Sequence, residues 1–252
     1  MHFPVYFDIG TERVLLHTVM EPLGIFIGFR YFLWLRKKQG DGIESGQRIW
    51  IIIGAIFGAL IGSRLVGGFE NPRALYAAKY PLLYLYENKT VVGGFLGGLI
   101  GVELVKKAIK EKKSSGDLFT FPMLLALIIG RIGCFSMGIY EETYGTPTSA
   151  FTGMDLGDGI LRHPVILYEV AFLLSLWFMM IRLEKKYELV EGGRFKIFMI
   201  AYLLFRFLLD FIKPHYTYDF GLSTIQVVCL LGVIYYAAFI IQPKKLILFT
   251  HA

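Results

Sequence analysis

"LFTFPMLLALIIGRIGCFSMG", residues Leu118–Gly138, is apolar along its length except for one guanidinium, Arg131. A helix needs about 20 mostly apolar residues to cross the hydrocarbon core of a bilayer, and this stretch supplies them without a carboxylate. A permanent charge at a helix centre costs about 2.5–3.5 kcal/mol on insertion scales, so such residues face a protein interior or a polar cavity. One segment therefore states two expectations: a membrane-spanning helix, and a polar feature inside the membrane that Arg131 serves.

The rest of the chain follows the first expectation. Of its 252 residues 55% are hydrophobic and 18% charged, against about 25% charged in soluble domains. Seven apolar stretches are long enough to read as spans: Leu15–Leu35, Ile49–Gly67, Thr90–Val105, Leu118–Gly138, Pro164–Ile181, Phe195–Ile212 and Leu222–Ile241. The expected fold is all-α, a polytopic membrane helix bundle forming one integral domain over residues 1–252. Cys134 and Cys229 both lie inside apolar runs, which argues against a disulfide framework. The N-terminal "MHFPVYFDIGTERV" lacks a basic n-region and a small-residue cleavage site, so no cleaved signal peptide is expected.

Basic residues set the direction. One set of loops holds Arg36, Lys37, Lys38, Arg48, Lys106, Lys107, Lys110, Lys112, Lys113, Arg182, Lys185, Lys186, Arg194, Lys196, Lys244 and Lys245. The alternate loops hold only Arg13, Arg73, Lys79, Lys89, Arg162 and Lys213. The alternation puts the N-terminus outside and the C-terminus inside. The net charge of +6 is thus a topology signal, and no nucleic-acid partner is needed to explain it. Two outer-face segments are expected, at 68–89 and 139–163. In the first, the tyrosine-rich "NPRALYAAKYPLLYLYEN" (Asn71–Asn88) reads as interfacial; the second is rich in turn formers. Gly54, Gly58 and Gly62, with Gly94–Gly98 and Gly97–Gly101, form small-residue stripes suited to close helix packing.

Four arginines fall within spans: Arg30, Arg64, Arg131 and Arg206. Arg30, near an inner end, can snorkel to the surface, and Arg64 can do so at an outer end. Arg131 lies about 20 Å from the inner end of its span at 1.5 Å per residue, and Arg206 is near mid-span, displaced outward. Acids within spans are Glu21, Glu103, Glu169 and Asp210. Tyr202, Arg206 and Asp210 recur every fourth residue and share a helix face; that stripe reads either as a packing ion pair or as the wall of a polar cavity. Two arginines at similar depth suit a phosphate, whose oxygens match the guanidinium fork. A phosphate at that depth belongs to a phospholipid, so the chain is either an enzyme acting on phospholipid or a lipid or anion transporter. A transporter of the inverted-repeat kind would show internal symmetry, and none is evident.

Five segments in order resemble the prolipoprotein diacylglyceryl transferase family: "IGSRLVGGFENP", "VVGGFLGGLIGVELVKK", "GRIGCFSMGIYEETYGTPTS", "RHPVILYE" and "YLLFRFLLDFIKP". The resemblance implies a bacterial cytoplasmic-membrane enzyme that moves diacylglyceryl from phosphatidylglycerol to the lipobox cysteine of a precursor protein, forming a thioether. It implies no cofactor and no metal. Its partners would be phosphatidylglycerol or a similar phospholipid, the precursor and the membrane, with no nucleic acid. Carried over by position, Arg131 and Arg206 would hold the phosphate, Tyr202 would position the headgroup, and Asp210 would orient Arg206. Glu142 and Gly145 match the family's Glu…Gly, with Glu141 as a rival register. His163 and Glu169 match the next motif, where a helix-start role is an equal alternative. Arg64 and Cys134 join the substrate-binding set.

The chain also departs from the family. Leu96 stands where a histidine is usual before "GGLIG", Cys134 stands for an asparagine, and Met20–Glu21 replaces a Tyr-Gly. Leu96 cannot take a proton, so the thiol would be activated by another group: Glu21, Glu142, His17 or Tyr202. Cys134 reads as a packing residue or as a nucleophile. A related transferase with another acceptor, and a non-catalytic phospholipid binder or transporter, remain as alternatives.

Overall fold

The computed structural model describes residues 2–248. A short hairpin, β1 (Tyr6–Ile9) and β2 (Glu12–Leu15), leads into α1 (Leu16–Gln39) and α2 (Ser45–Gly68). Two short helices follow, α3 (Pro72–Ala77) and α4 (Pro81–Glu87), then α5 (Val91–Ala108) and α6 (Asp117–Phe135). A loop containing β3 (Met154–Asp155) and β4 (Leu161–Arg162) precedes α7 (Val165–Lys186). The chain continues through α8 (Gly193–Leu209), α9 (Thr224–Tyr235) and α10 (Ala237–Ile241). This is an all-α membrane protein: each of the seven expected spans coincides with a long helix or, at the last, with the pair α9 and α10. Helices α1, α2, α6 and α7 are each long and apolar enough to cross a bilayer. On α1 and α2 large apolar side chains such as Phe26, Trp34, Trp50 and Phe57 stand exposed, as a lipid-facing surface requires.

The segment read as interfacial is two short helices. Proline opens both, at the position where its missing N–H is harmless, and the Asn71 side chain accepts the N–H of Ala74. The N-terminal hairpin was not expected from the sequence. It is tied down by Val5 N–H to Ser136 O (2.8 Å) and Leu16 N–H to Val5 O (3.0 Å), which fixes the start of α1 beside the end of α6.

Helix pairs build the bundle. Gly54, Gly58 and Gly62 on α2 meet Gly101, Gly97 and Gly93 on α5, so close that a Cβ at Gly58 would overlap the Gly97 carbonyl and one at Gly97 the Gly58 carbonyl. Gly94 and Gly98 also face α2, at Ser63, Ala59 and Ala55, but at ordinary contact distance, and they border a cavity; the closest stripe is 93/97/101. On the other side α1 lies against α6, where Gly24 and Gly28 face the Ala126 and Pro122 carbonyls. The core joins α6, α7, α8 and α9 around Leu124, Leu173, Phe198, Met199, Leu203 and Cys229. Both cysteines are free thiols. The α1–α6 and α2–α5 pairs make only marginal contact with each other, and the space between them is a cleft.

Candidate active site

Two helices starting at the same level bring the arginines together. Asp117, at the start of α6, accepts the N–H of Gly192 (2.6 Å) and of Phe195 (3.0 Å) at the start of α8. From that common origin Arg131 and Arg206 both come about 20 Å along their helices at 1.5 Å per residue. Helix α7 runs the other way and begins at their level, so Glu169, just inside it, meets both. Arg131 Nε stands 2.9 Å and Arg206 Nη1 3.2 Å from the same oxygen, Glu169 Oε2. Tyr202 donates its hydroxyl to Oε1 at 2.7 Å. All four side chains are buried.

Two guanidinium groups on one carboxylate leave one net positive charge. They also leave donors to spare: the buried Arg206 Nε has no hydrogen-bond partner among the described residues. Buried polar groups are nearly always partnered, so an orphan donor beside surplus positive charge is chemically suited to an anion. Both arginines line a cavity of about 1700 Å³. Its lower part is the cleft, walled by Ile25, Phe29, Ile56, Gly94, Met123 and others from α1, α2, α5 and α6. Its upper rim carries Arg64, Glu70, Glu141, Glu142, Tyr144 and Lys213. An apolar slot under a head of mixed charge that carries two guanidinium groups has the amphipathic character of a phospholipid site.

Several expected residues take other places. Arg206 finds its carboxylate in Glu169, not in Asp210. Asp210 instead accepts the Ser223 hydroxyl and lies 3.7 Å from His215 Nδ1, and Ser223 with Gln226 forms the capping box that opens α9. Asp210 thus ties the end of α8 to the start of α9. Tyr202 is fully buried and does not reach the cavity; it acts on Glu169. His163 Nδ1 lies 3.3 Å from the Tyr168 hydroxyl, off the cavity. Gly145 packs so tightly on the His163 carbonyl that any side chain there would overlap it. Arg64 lies over the Tyr86 ring at 4.8 Å while facing the cavity. Glu142 is exposed on the cavity wall, and Glu141 lies 3.5 Å from His17 Nδ1. Cys134 lines the cavity and receives Arg131 Nη1 at 3.8 Å. Leu96 turns away from the cavity and packs towards Gly232 of α9.

The rim holds groups that sequence reasoning missed. Lys213, counted there only as a loop cation, is buried; burial and the nearby Arg206 pull its ammonium below lysine's ordinary range. Burial likewise pushes the Glu70 carboxyl above its ordinary range, against the pull of Lys213 and Arg206. Lys213–Pro214 directly after a span was the available signal, since the residue before a proline is pushed into extended backbone, as Lys213 is here.

Residues 4–242 match the family model described as prolipoprotein diacylglyceryl transferase. Similar proteins include the phosphatidylglycerol–prolipoprotein diacylglyceryl transferases of Campylobacter hominis, 27% identical over 90% of this chain and 86% of that protein, and of Nitratidesulfovibrio vulgaris, 29% identical over 90% and 88%. The Aliivibrio salmonicida protein of the same name is 30% identical over 83% of this chain and 75% of its own. With its arginine pair, its cleft and a match over nearly its whole length, the chain belongs to the prolipoprotein diacylglyceryl transferase family.

Proposed function

We propose that the protein transfers diacylglyceryl from phosphatidylglycerol to the cysteine thiol of a prolipoprotein. The observation that carries this reading is the pair Arg131 and Arg206 sharing Glu169 at the head of an apolar cleft. The acyl chains lie in the cleft between the α1–α6 and α2–α5 pairs, entering sideways from the bilayer. The phosphate rests against the spare guanidinium donors. The acceptor sulfur attacks the glyceryl carbon that bears the phosphate; a carbon–sulfur bond forms, the carbon–oxygen bond breaks, and its electron pair leaves on glycerol phosphate. Negative charge builds on that leaving group. Fixed donors in a water-poor site stabilise it without reorganisation, an effect worth about 10²–10³ in rate per donor elsewhere. Glu169 and Tyr202 hold the forks in place, and Arg64, Glu142 and Lys213 shape the rim where the headgroup and the peptide meet.

The seven spans run with the N-terminus outside, in the cytoplasmic membrane of a bacterium, with the site open to the outer half. The loop charge asymmetry supports that direction. The two outer segments, 68–89 and 139–163, belong to a single integral domain. An impermeant thiol reagent on spheroplasts should label a cysteine placed at Ser149 and spare one placed at Lys112; the reverse pattern would invert the orientation.

The test of function is purified protein in phosphatidylglycerol vesicles with a lipobox peptide, followed by mass spectrometry. A peptide heavier by one diacylglyceryl group, stable to base at its thioether, is expected. Lipid binding or movement without that product would make the chain a phospholipid binder or transporter.

A further inference from the structure

Next to the arginine pair lies a second cluster with a different chemistry. His17 Nδ1, Cys134 Sγ and a Glu141 carboxylate oxygen all lie within 4.8 Å of one another, and His17 Nδ1 is 3.5 Å from Glu141 Oε2. Both of those atoms are buried without a hydrogen-bond partner among the described residues. The other imidazole nitrogen, Nε2, faces Glu21 Oε2 at 3.7 Å, and Glu21 is held in turn by Lys89 at 2.6 Å. The hairpin ties at Val5, Ser136 and Leu16 fix His17 and Cys134 at their crossing, where Gly133 leaves room for His17.

We propose that His17, Cys134 and Glu141 form a site for a thiophilic divalent cation of the zinc class, open on its cavity side. The sequence reading expected no metal. Three protein ligands of the N, S and O kinds with one free position are the pattern of catalytic zinc. The Glu21–His17 contact supplies the carboxylate behind the histidine that orients metal-bound imidazoles. A dication balances the thiolate of Cys134 and the carboxylate of Glu141 when both are ligated. Arg131 gives its Nε side to Glu169 at 2.9 Å and stands 3.8 Å from the sulfur through Nη1, so the two anionic ligands, Cys134 and Glu141, are what offset the cation there.

The role of the site rests on the transferase reading. Leu96 provides no base here, and the open position takes the acceptor sulfur instead. The thiol gives its proton to water on coordination and then attacks the glyceryl carbon, with glycerol phosphate leaving as above.

The test uses the full chain in detergent, loaded with zinc or cobalt and then dialysed. About one equivalent of zinc should remain, and the cobalt form should show a thiolate-to-metal charge-transfer band that Cys134→Ser abolishes. Should that variant unfold on a melting curve, His17→Ala gives the independent arm, with zinc affinity at least about tenfold lower. Glu21→Gln, behind the histidine, should weaken zinc by about tenfold or more with the melting curve unchanged. No retained metal, or a cobalt band that survives in folded Cys134→Ser, overturns the site. Thioether assays on the same sample separate the two readings. Product formation that survives complete metal removal overturns the role of the metal and leaves the transferase standing. Metal retained at Cys134 without any product upholds the site and overturns the transferase.

Discussion

Among the described residues two arginines meet on one carboxylate twice, at opposite ends, and the two clusters differ in what they leave over. At the end reading as cytoplasmic, Asp41 takes Arg36 Nε at 2.9 Å and Arg48 Nε at 2.8 Å. Arg48 also gives one Nη to Asp41 and the other to Ser115 O at 3.1 Å, and its plane lies over Phe119. Every nitrogen of Arg48 is spoken for. At the other end Arg206 gives only Nη1 to Glu169, and its Nε is orphaned among the described residues. Arg131 and Arg206 line the cavity; Arg48 does not. The charge count is the same, so charge alone does not make a site. Unspent donors and access do.

The comparison breaks most visibly at Arg48. Removing one partner of a buried pair destabilises by about 3–5 kcal/mol, so Arg48→Ala should lower the denaturation midpoint strongly, with turnover per folded molecule retained. Burial opposes the ionisation of Asp41, but the hydrogen bonds from Arg48 and from the Ile43 N–H, with the charges of Arg48 and Arg36, outweigh it and hold the carboxyl below the ordinary carboxylate range. A depressed carboxylate stabilises the fold above its unfolded pKa of about 3.9 and loses that contribution as pH falls through the folded value. The wild-type melting temperature should therefore drop in acid below about pH 4 by more than that of Arg48→Ala, measured in the same detergent.

A smaller effect is expected at Tyr202. Tyr202→Phe removes one hydrogen bond from Glu169 and touches no cavity wall. Such a bond contributes about 0.5–1.5 kcal/mol, so turnover should fall by up to about tenfold with KM for the lipid nearly unchanged. A rise in KM alone would mean that the hydroxyl reaches the substrate. Smallest of all is Leu96→Ala. Leu96 packs towards α9, so melting should shift, while turnover per folded molecule stays within about threefold, under 1 kcal/mol of barrier. A loss as complete as that from an Arg131 deletion would put this position in the site after all.

How much of this was legible differs between fold and site. Apolar length and loop charge located every long helix, because a membrane helix needs no partner to be recognised. The glycine stripe was visible as spacing, but which of two adjacent stripes on α5 came closest to α2 depended on rotation about the helix axis. Arg131 and Arg206 stood out as charges without local reason. The partner of Arg206 did not: spacing along one helix points to Asp210, while the contact is made by Glu169 from the antiparallel α7. Asp210 was already engaged by Ser223 and His215, which arrive from later in the chain. The His17, Cys134 and Glu141 cluster was hidden for the same reason, being assembled from α1, the end of α6 and the loop after it. Spacing reads one helix at a time, and these clusters are made between helices.

The central claim is that Arg131 is buried for a phosphate and not for the fold, and Arg131→Lys tests it most directly. Lysine keeps the positive charge beside Glu169 but loses the planar fork. Thioether formation on a lipobox peptide should fall by at least about tenfold, or about 1.4 kcal/mol of barrier, while the melting curve in detergent moves little. A well-folded Arg131→Lys protein with full activity would contradict the account, and one that unfolds would show Arg131 to be a structural arginine like Arg48.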